Sequence, residues 1–115
     1  MSGFYSSPTL ATVFAVRIDI HDVNFTAQPE QYLLSYVELT AARTITLPDT
    51  AVLPMGKMYV VKDETGNANT YNITIKGFGT PGSEQPVDGL TAGAVINTTK
   101  GALTLVSNGV SWYLV

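Results

Sequence analysis

The sequence predicts an all-β chain, a small antiparallel β-sandwich or barrel, jelly-roll-like, of about eight short strands. Three observations predict it. Apolar side chains recur with period two in short runs such as Thr44-Ile45-Thr46-Leu47 and Asn72-Ile73-Thr74-Ile75-Lys76, a period that puts one apolar and one polar row on opposite faces of a strand. Gly, Pro, Asn and Asp punctuate these runs at short intervals, as turn residues do between strands. No stretch of helical length repeats apolar residues at i, i+3 and i+4.

In chain order the expected strands cover residues 12–20, 32–39, 44–47, 58–62, 72–76, 94–98, 102–107 and 111–115, each rich in β-branched or aromatic residues. Thr65-Gly66-Asn67 stands between the fourth and fifth, where Gly66 and Asn67 can supply a positive φ. Residues 77–93, with five glycines and two prolines, form a long excursion expected to be exposed. Within it, Asp88-Gly89 reads as a turn. Lys100-Gly101 offers a tight turn into residues 102–107, and Asn108-Gly109 is a type I′ hairpin signal before the last strand. Adjacent strand residues face opposite ways, so of Trp112 and Tyr113 one is core, and Trp112 is the choice.

A length of 115 residues fits one domain, read as an arm over residues 1–16 and a single β-domain over 17–115. The arm has no charged side chain but includes Phe4, Tyr5 and Leu10. It is either a docking segment or a loose start to the first strand. Charged residues make up only 13% of the chain and hydrophobic ones 45%, against about 25% charged in a typical domain. Part of the outside is therefore expected to be an interface. The six basic residues are scattered singly and the net charge is -3, which argues against a nucleic-acid face, since that needs clustered Lys and Arg. No apolar run approaches the roughly 18–20 residues of a membrane span, and no basic, apolar leader is visible.

Chemistry is sparse. With no cysteine and one histidine, neither a thiolate site nor a nucleophile–base pair independent of His21 can be built. His21 beside Asp19 and Asp22 is too few ligands for a metal. Asp63-Glu64 before Thr65-Gly66-Asn67 lacks the ligand spacing of a calcium loop and reads as turn chemistry. An Asp63/Asp88 carboxylate pair is weaker than turn roles for both. The Asn-x-Ser/Thr triplets at Asn24, Asn72 and Asn97 are what a Thr- and Asn-rich chain produces by chance. No catalytic residue, metal or cofactor is expected.

Over residues 32–115 the chain resembles a module of phage tail-fibre, head-fibre and capsid-decoration proteins. The residues carrying the resemblance are Thr44-Ile45-Thr46-Leu47-Pro48-Asp49, Gly56-Lys57-Met58-Tyr59-Val60-Val61-Lys62-Asp63, Gly66-Asn67-Ala68 and Asn72-Ile73-Thr74-Ile75. Asp88-Gly89, Ile96-Asn97, Leu103-Thr104-Leu105-Val106-Ser107-Asn108-Gly109 and Trp112-Tyr113 follow in the same order. The chain departs from that pattern at Tyr71 before Asn72, at Val87 before Asp88-Gly89, and in a longer insert over residues 79–86. The resemblance implies a compact β-domain, commonly a homotrimer, without catalytic residues.

The expected function is that of a bacteriophage capsid decoration or cement protein, assembled in the bacterial cytoplasm and placed on the virion surface against the major capsid protein. The alternative is a tail-fibre or tail-tip component that binds a host receptor or glycan through exposed aromatics. The expected interface residues are Phe4, Tyr5, Leu10, Phe78 and Pro81, and the aromatics that would stack on glycan under the alternative are Tyr5, Tyr71, Phe78 or Tyr113. Gly66, Asn67, Asp88, Gly89, Asn108, Gly109 and Trp112 read as core and turn architecture.

Overall fold

The computed structural model describes residues 16–115. Nine strands lie among them: β1 (Arg17–His21), β2 (Phe25–Thr26), β3 (Leu33–Glu38), β4 (Arg43–Thr46), β5 (Met58–Asp63), β6 (Ile73–Lys76), β7 (Ala94–Ile96), β8 (Ala102–Ser107) and β9 (Trp112–Leu114). A 3-10 turn at Thr50–Val52, capped by Asp49 Oδ1 on Ala51 N–H at 3.0 Å, is the only helical element among the described residues. Each of the eight expected runs overlaps a strand, and residues 12–15 of the first lie outside the described residues. The two-residue β2 is additional.

The strands form one sheet of order β1-β3-β5-β8-β9 and a second of order β2-β4-β6-β7, both open. The expectation of an antiparallel fold, and of a closed barrel, is corrected here. β1, β3 and β5 pair in parallel, as do β2, β4 and β6, while β7, β8 and β9 are antiparallel to their partners. From β1 to β6 the chain visits the two sheets alternately, so each circuit lays its strands beside those of the previous one. Period two cannot tell these arrangements apart, because both ladders expose alternate residues to opposite faces.

A single core cluster draws on both sheets: Ile20, Leu34, Tyr36, Val61 and Leu105 from the first, Ile45, Ile73, Ile75 and Ile96 from the second. Burial of each such aliphatic side chain stabilises the fold by about 1.5–3 kcal/mol. The two core tyrosines keep their hydroxyls bonded: Tyr36 Oη donates to Val23 O and Tyr59 Oη to Gln28 O, both at 2.8 Å. Trp112 is fully buried against Tyr59, ring centroids 5.7 Å apart, whereas Tyr113 is exposed.

Residues 77–93 are only partly the exposed excursion expected. Residues 78–83 face solvent, but Val87 is in the core, bridged to Leu90 and Trp112. Gln85 Nε2 reaches Asp49 Oδ1 at 2.9 Å, and Glu84 is buried beside Lys76 Nζ at 2.9 Å. Gly77 and Gly93 permit this close folding, since a Cβ would meet Gln85 O at 1.9 Å and Ile75 O at 2.1 Å respectively.

Candidate functional site

The residues that carry chemistry in the sequence are brought together as locks on turns. Asp63 ends β5 on the strand's inward row, after Tyr59 and Val61, and is fully buried. Its Oδ1 accepts from Thr65 N at 2.9 Å, Thr65 Oγ1 at 2.6 Å and Gly66 N at 3.1 Å. Its Oδ2 accepts from Ala68 N at 3.0 Å and Lys100 N at 3.1 Å. Burial pushes this carboxyl up, but the Thr65 hydroxyl and the N–H groups of Ala68, Lys100 and Thr65 outweigh it and hold the acid below its ordinary range. One carboxylate thus ties the turn after β5 to the turn before β8. Gly66 supplies the positive φ (85°), and Asn67 Nδ2 donates to Leu39 O at 3.1 Å.

Three further turns use the same device. Asp22, itself at φ 58°, accepts from Thr40 N and Thr40 Oγ1 at 2.8 and 2.5 Å and from Arg43 Nε at 3.1 Å. Thr40's hydroxyl and N–H, then Arg43, hold its carboxyl at about 2. Asp88 (φ 48°) and Gly89 (φ 81°) make a turn whose carboxylate accepts from Leu114 N at 3.0 Å. Asn108 Oδ1 accepts from Val110 N and Ser111 N at 3.0 and 2.9 Å.

The hairpin itself departs from the type I′ expectation. Only Gly109 of the pair has positive φ, and Ser107 pairs with Trp112 across the four-residue loop 108–111. A type I′ turn needs positive φ at both central residues and a two-residue loop. The Asn108 side chain, capping two N–H groups, favours the wider loop.

His21 Nδ1 lies 2.9 Å from Glu38 Oε1 on the surface, after a register shift at Ile20/His21. Asp22 is committed to Thr40 and Arg43, so it does not converge on His21. Among the described residues no group of three or more His, Cys, Asp or Glu side chains is placed to hold a metal. Asp63 and Asp88 are each occupied by backbone donors from different turns.

Of the expected interface residues, Phe78 is 50% exposed and Pro81 is exposed. Phe4, Tyr5 and Leu10 lie outside the described residues. A surface missed in the sequence occupies the outward face of the first sheet. Opposite the buried row of Leu34, Tyr59, Val61, Leu105 and Trp112, the registers set Leu33 beside Val60 and Met58 beside Val106 beside Tyr113. Met58 joins this strip to a groove of about 420 Å3 lined by Pro29, Glu30, Tyr32, Pro54, Gly56, Lys57 and Met58. Met55, 77% exposed, projects nearby toward Gly109. The signal was present: Leu33-Leu34, Val60-Val61 and Leu105-Val106 break period two by making both rows apolar.

The other end of the same face is charged. Arg17 pairs with Asp19 and Glu64, each at 2.7 Å, and Ser35 Oγ donates to Glu64 at 2.6 Å. Lys100 Nζ donates to Glu64 O at 2.6 Å, and Lys62 Nζ donates to Lys100 O. The first sheet therefore presents a polar, internally paired half and an apolar half, with Arg17 beside Leu33 at their boundary and Glu30 and Lys57 as the charges lining the groove.

No protein-family model matches the chain, and no curated protein matches it.

Proposed function

We propose that the chain is a structural subunit of a bacteriophage particle, a decoration protein that binds the capsid shell as a homotrimer. The observation that carries this reading is the apolar half of the first sheet, which adjoins a scaffold whose buried carboxylate is spent on turns rather than aimed into a cleft. Apolar surface of this kind favours association, and many modest interfaces repeated over a shell sum to a large stabilisation. The two sheets with their shared core are read as the layers of a sandwich, a rigid plate suited to bridging neighbouring capsid subunits. Phe78 and Pro81, on the exposed tip of residues 78–83, extend the contact surface on a turn held in shape by Gln85 N–H on Phe78 O and by Gly82 N–H on the Glu84 carboxylate.

The exposed aromatics Tyr71, Phe78 and Tyr113 favour a second reading, a tail-tip module that stacks on glycan. The two part on where the protein sits on the particle. Light scattering of the full chain should give a trimer, and immunogold labelling of intact particles should mark the head. Removing residues 1–8 should leave a folded protein whose capsid binding is many-fold weaker. Label confined to the tail would overturn the decoration reading; unchanged binding by the truncated chain would make the arm only a frayed terminus and leave the binding surface on the sheet faces.

A further inference from the structure

The outward face of the first sheet carries its apolar side chains in two ranks across the strands. Leu33 lies beside Val60 and Val60 beside Thr104, and Val115 N donates to Thr104 O at 3.0 Å, which brings Val115 alongside on the row of Tyr113. Met58, Val106 and Tyr113 form the second rank. Past Arg17, which pairs with Leu33, neither rank contains a charged side chain. Met58, Tyr113 and Val115, with Tyr32, Met55 and Val110 at the border, are exposed by between 36% (Met58) and 77% (Met55). At roughly 150–200 Å2 per large side chain these six present about 500–700 Å2. The partly buried Leu33, Val60 and Val106 bring the face close to the about 800 Å2 that each partner buries in a standard interface.

The charge pattern marks what covers such a face. The chain carries a net charge of -3, so copies repel one another wherever their acids meet, and the two ranks, which hold no acid, are where copies meet at least cost. A contact with a partner that folds separately is about as apolar as ordinary surface, whereas contacts between copies of one chain are more apolar and poorer in charge. The two ranks have the second character. We propose that this half is covered by further copies of the same chain, at the contact that builds the homotrimer, which leaves the capsid to other surfaces, the 78–83 tip among them. The self-contact stands on the face itself; the count of three copies rests on the decoration reading.

Light scattering of the full chain reads the contact, with circular dichroism and Trp112 fluorescence as the check on folding. Met58→Asp and Tyr113→Asp each bury an unpaired carboxylate there and should weaken association about a hundred-fold or more, taking the scattering mass from three chains to one. Thr74→Asp, opposite the buried row of Ile73 and Ile75 on the second sheet, should leave it at three. A water-soluble paramagnetic agent should spare the methyl signals of Met58 and Val106 in the parent and broaden that of Val95, exposed on the second sheet. In Tyr113→Asp it should broaden all three. A folded variant that stays trimeric, or a parent that is monomeric, would overturn the proposal. Broadening of Met58 and Val106 in the parent would overturn it even where neither variant folds. A trimer dissociated by both substitutions but labelled only at the tail would sink the decoration reading and leave the self-contact standing, whereas a monomer bound to the head would do the reverse.

Discussion

Replacing Asp63 with Asn changes one oxygen into an amide and little else in shape, so it isolates what the carboxylate does. Whichever way the amide turns, its NH2 faces donors: Ala68 and Lys100 N–H on one side, or Thr65 N–H, Thr65 Oγ1 and Gly66 N–H on the other. At least two donors lose their acceptor, Ala68 among the most buried residues of the chain. A stranded buried donor costs about 1–3 kcal/mol, so Asp63→Asn should cost about 2–6 kcal/mol. Against the ~5–15 kcal/mol that holds a domain together this is a large share, and the thermal midpoint should fall by roughly 10 °C or more. Urea unfolding followed by the fluorescence of Trp112, the only tryptophan, measures it directly. The Asp63 carboxyl is held below its ordinary 3.8 in the folded state. Its contribution is therefore complete above that ordinary value and lost as pH falls through the lower folded one. The acid limb of the stability curve should accordingly be shallower in Asp63→Asn than in the parent. An Asp63→Asn protein within about 0.5 kcal/mol of the parent at neutral pH, the range of ordinary surface changes, would refute the assignment of Asp63 as the knot between the two turns.

Three other outcomes follow from the same structure. Trp112→Ala should cost about 3–5 kcal/mol by cavity formation; Trp112→Phe should cost less, since the buried Nε1 has no hydrogen-bond partner to lose, and denaturation followed by circular dichroism compares the two. Gly89→Ala meets no atom within 4 Å and should cost about 1–2 kcal/mol through its left-handed backbone alone, whereas Gly93→Ala drives a Cβ to 2.1 Å from Ile75 O and should cost clearly more; equal losses in paired unfolding curves would remove the close approach to β6. The Asp22 carboxyl should titrate by NMR at about 2 rather than 3.8, with its stabilisation complete above the ordinary value and lost on acidification through the lower one, and Asp22→Asn should abolish that component of acid sensitivity.

The strands were legible because each core row is written in alternating residues, Ile45 and Leu47 or Ile73 and Ile75, and the ladder needs nothing more local. The partners were not. Arg17 pairs with Leu33, Leu33 with Val60, Phe25 with Ile45 and Ile45 with Ile75; these separations are unequal, so no repeat period announces the circuits. β2 escaped because two residues carry no periodicity. The Asp63 turn was read correctly as turn chemistry, yet its reach to Lys100 depends on β5 and β8 being neighbours, which local sequence does not state. Its position two after Val61, on the inward row, was the available clue that this acid is buried. Asn108-Gly109 was overread: the dipeptide permits a type I′ turn, but the side-chain cap on Val110 and Ser111 selects a wider one. The surface strip was passed over because apolar residues on both rows of β3 and β5 look like a fully covered strand, and only the fold shows which row is left open.

In the first sheet β1, β3 and β5 run one way, β8 the reverse, and β9 again with β1. The registers set Arg17 level with Leu33, Val60 and Thr104, and Leu114 level with Leu105 and Tyr59, so the start of β1 and the close of β9 sit on opposite edges of the sheet but within about one residue of the same level. Tension between them runs across the strands and pulls the ladders open along their hydrogen bonds. A load drawing β8 and β9 apart at their shared loop, across Ser107 and Trp112, would likewise peel the hairpin bond by bond. Force that slides one strand along its neighbour loads the bonds of a pair together, and the sheet then resists as a shear clamp whose lifetime is set by the unfolding rate, so the same molecule is stiff along one axis and yielding along another.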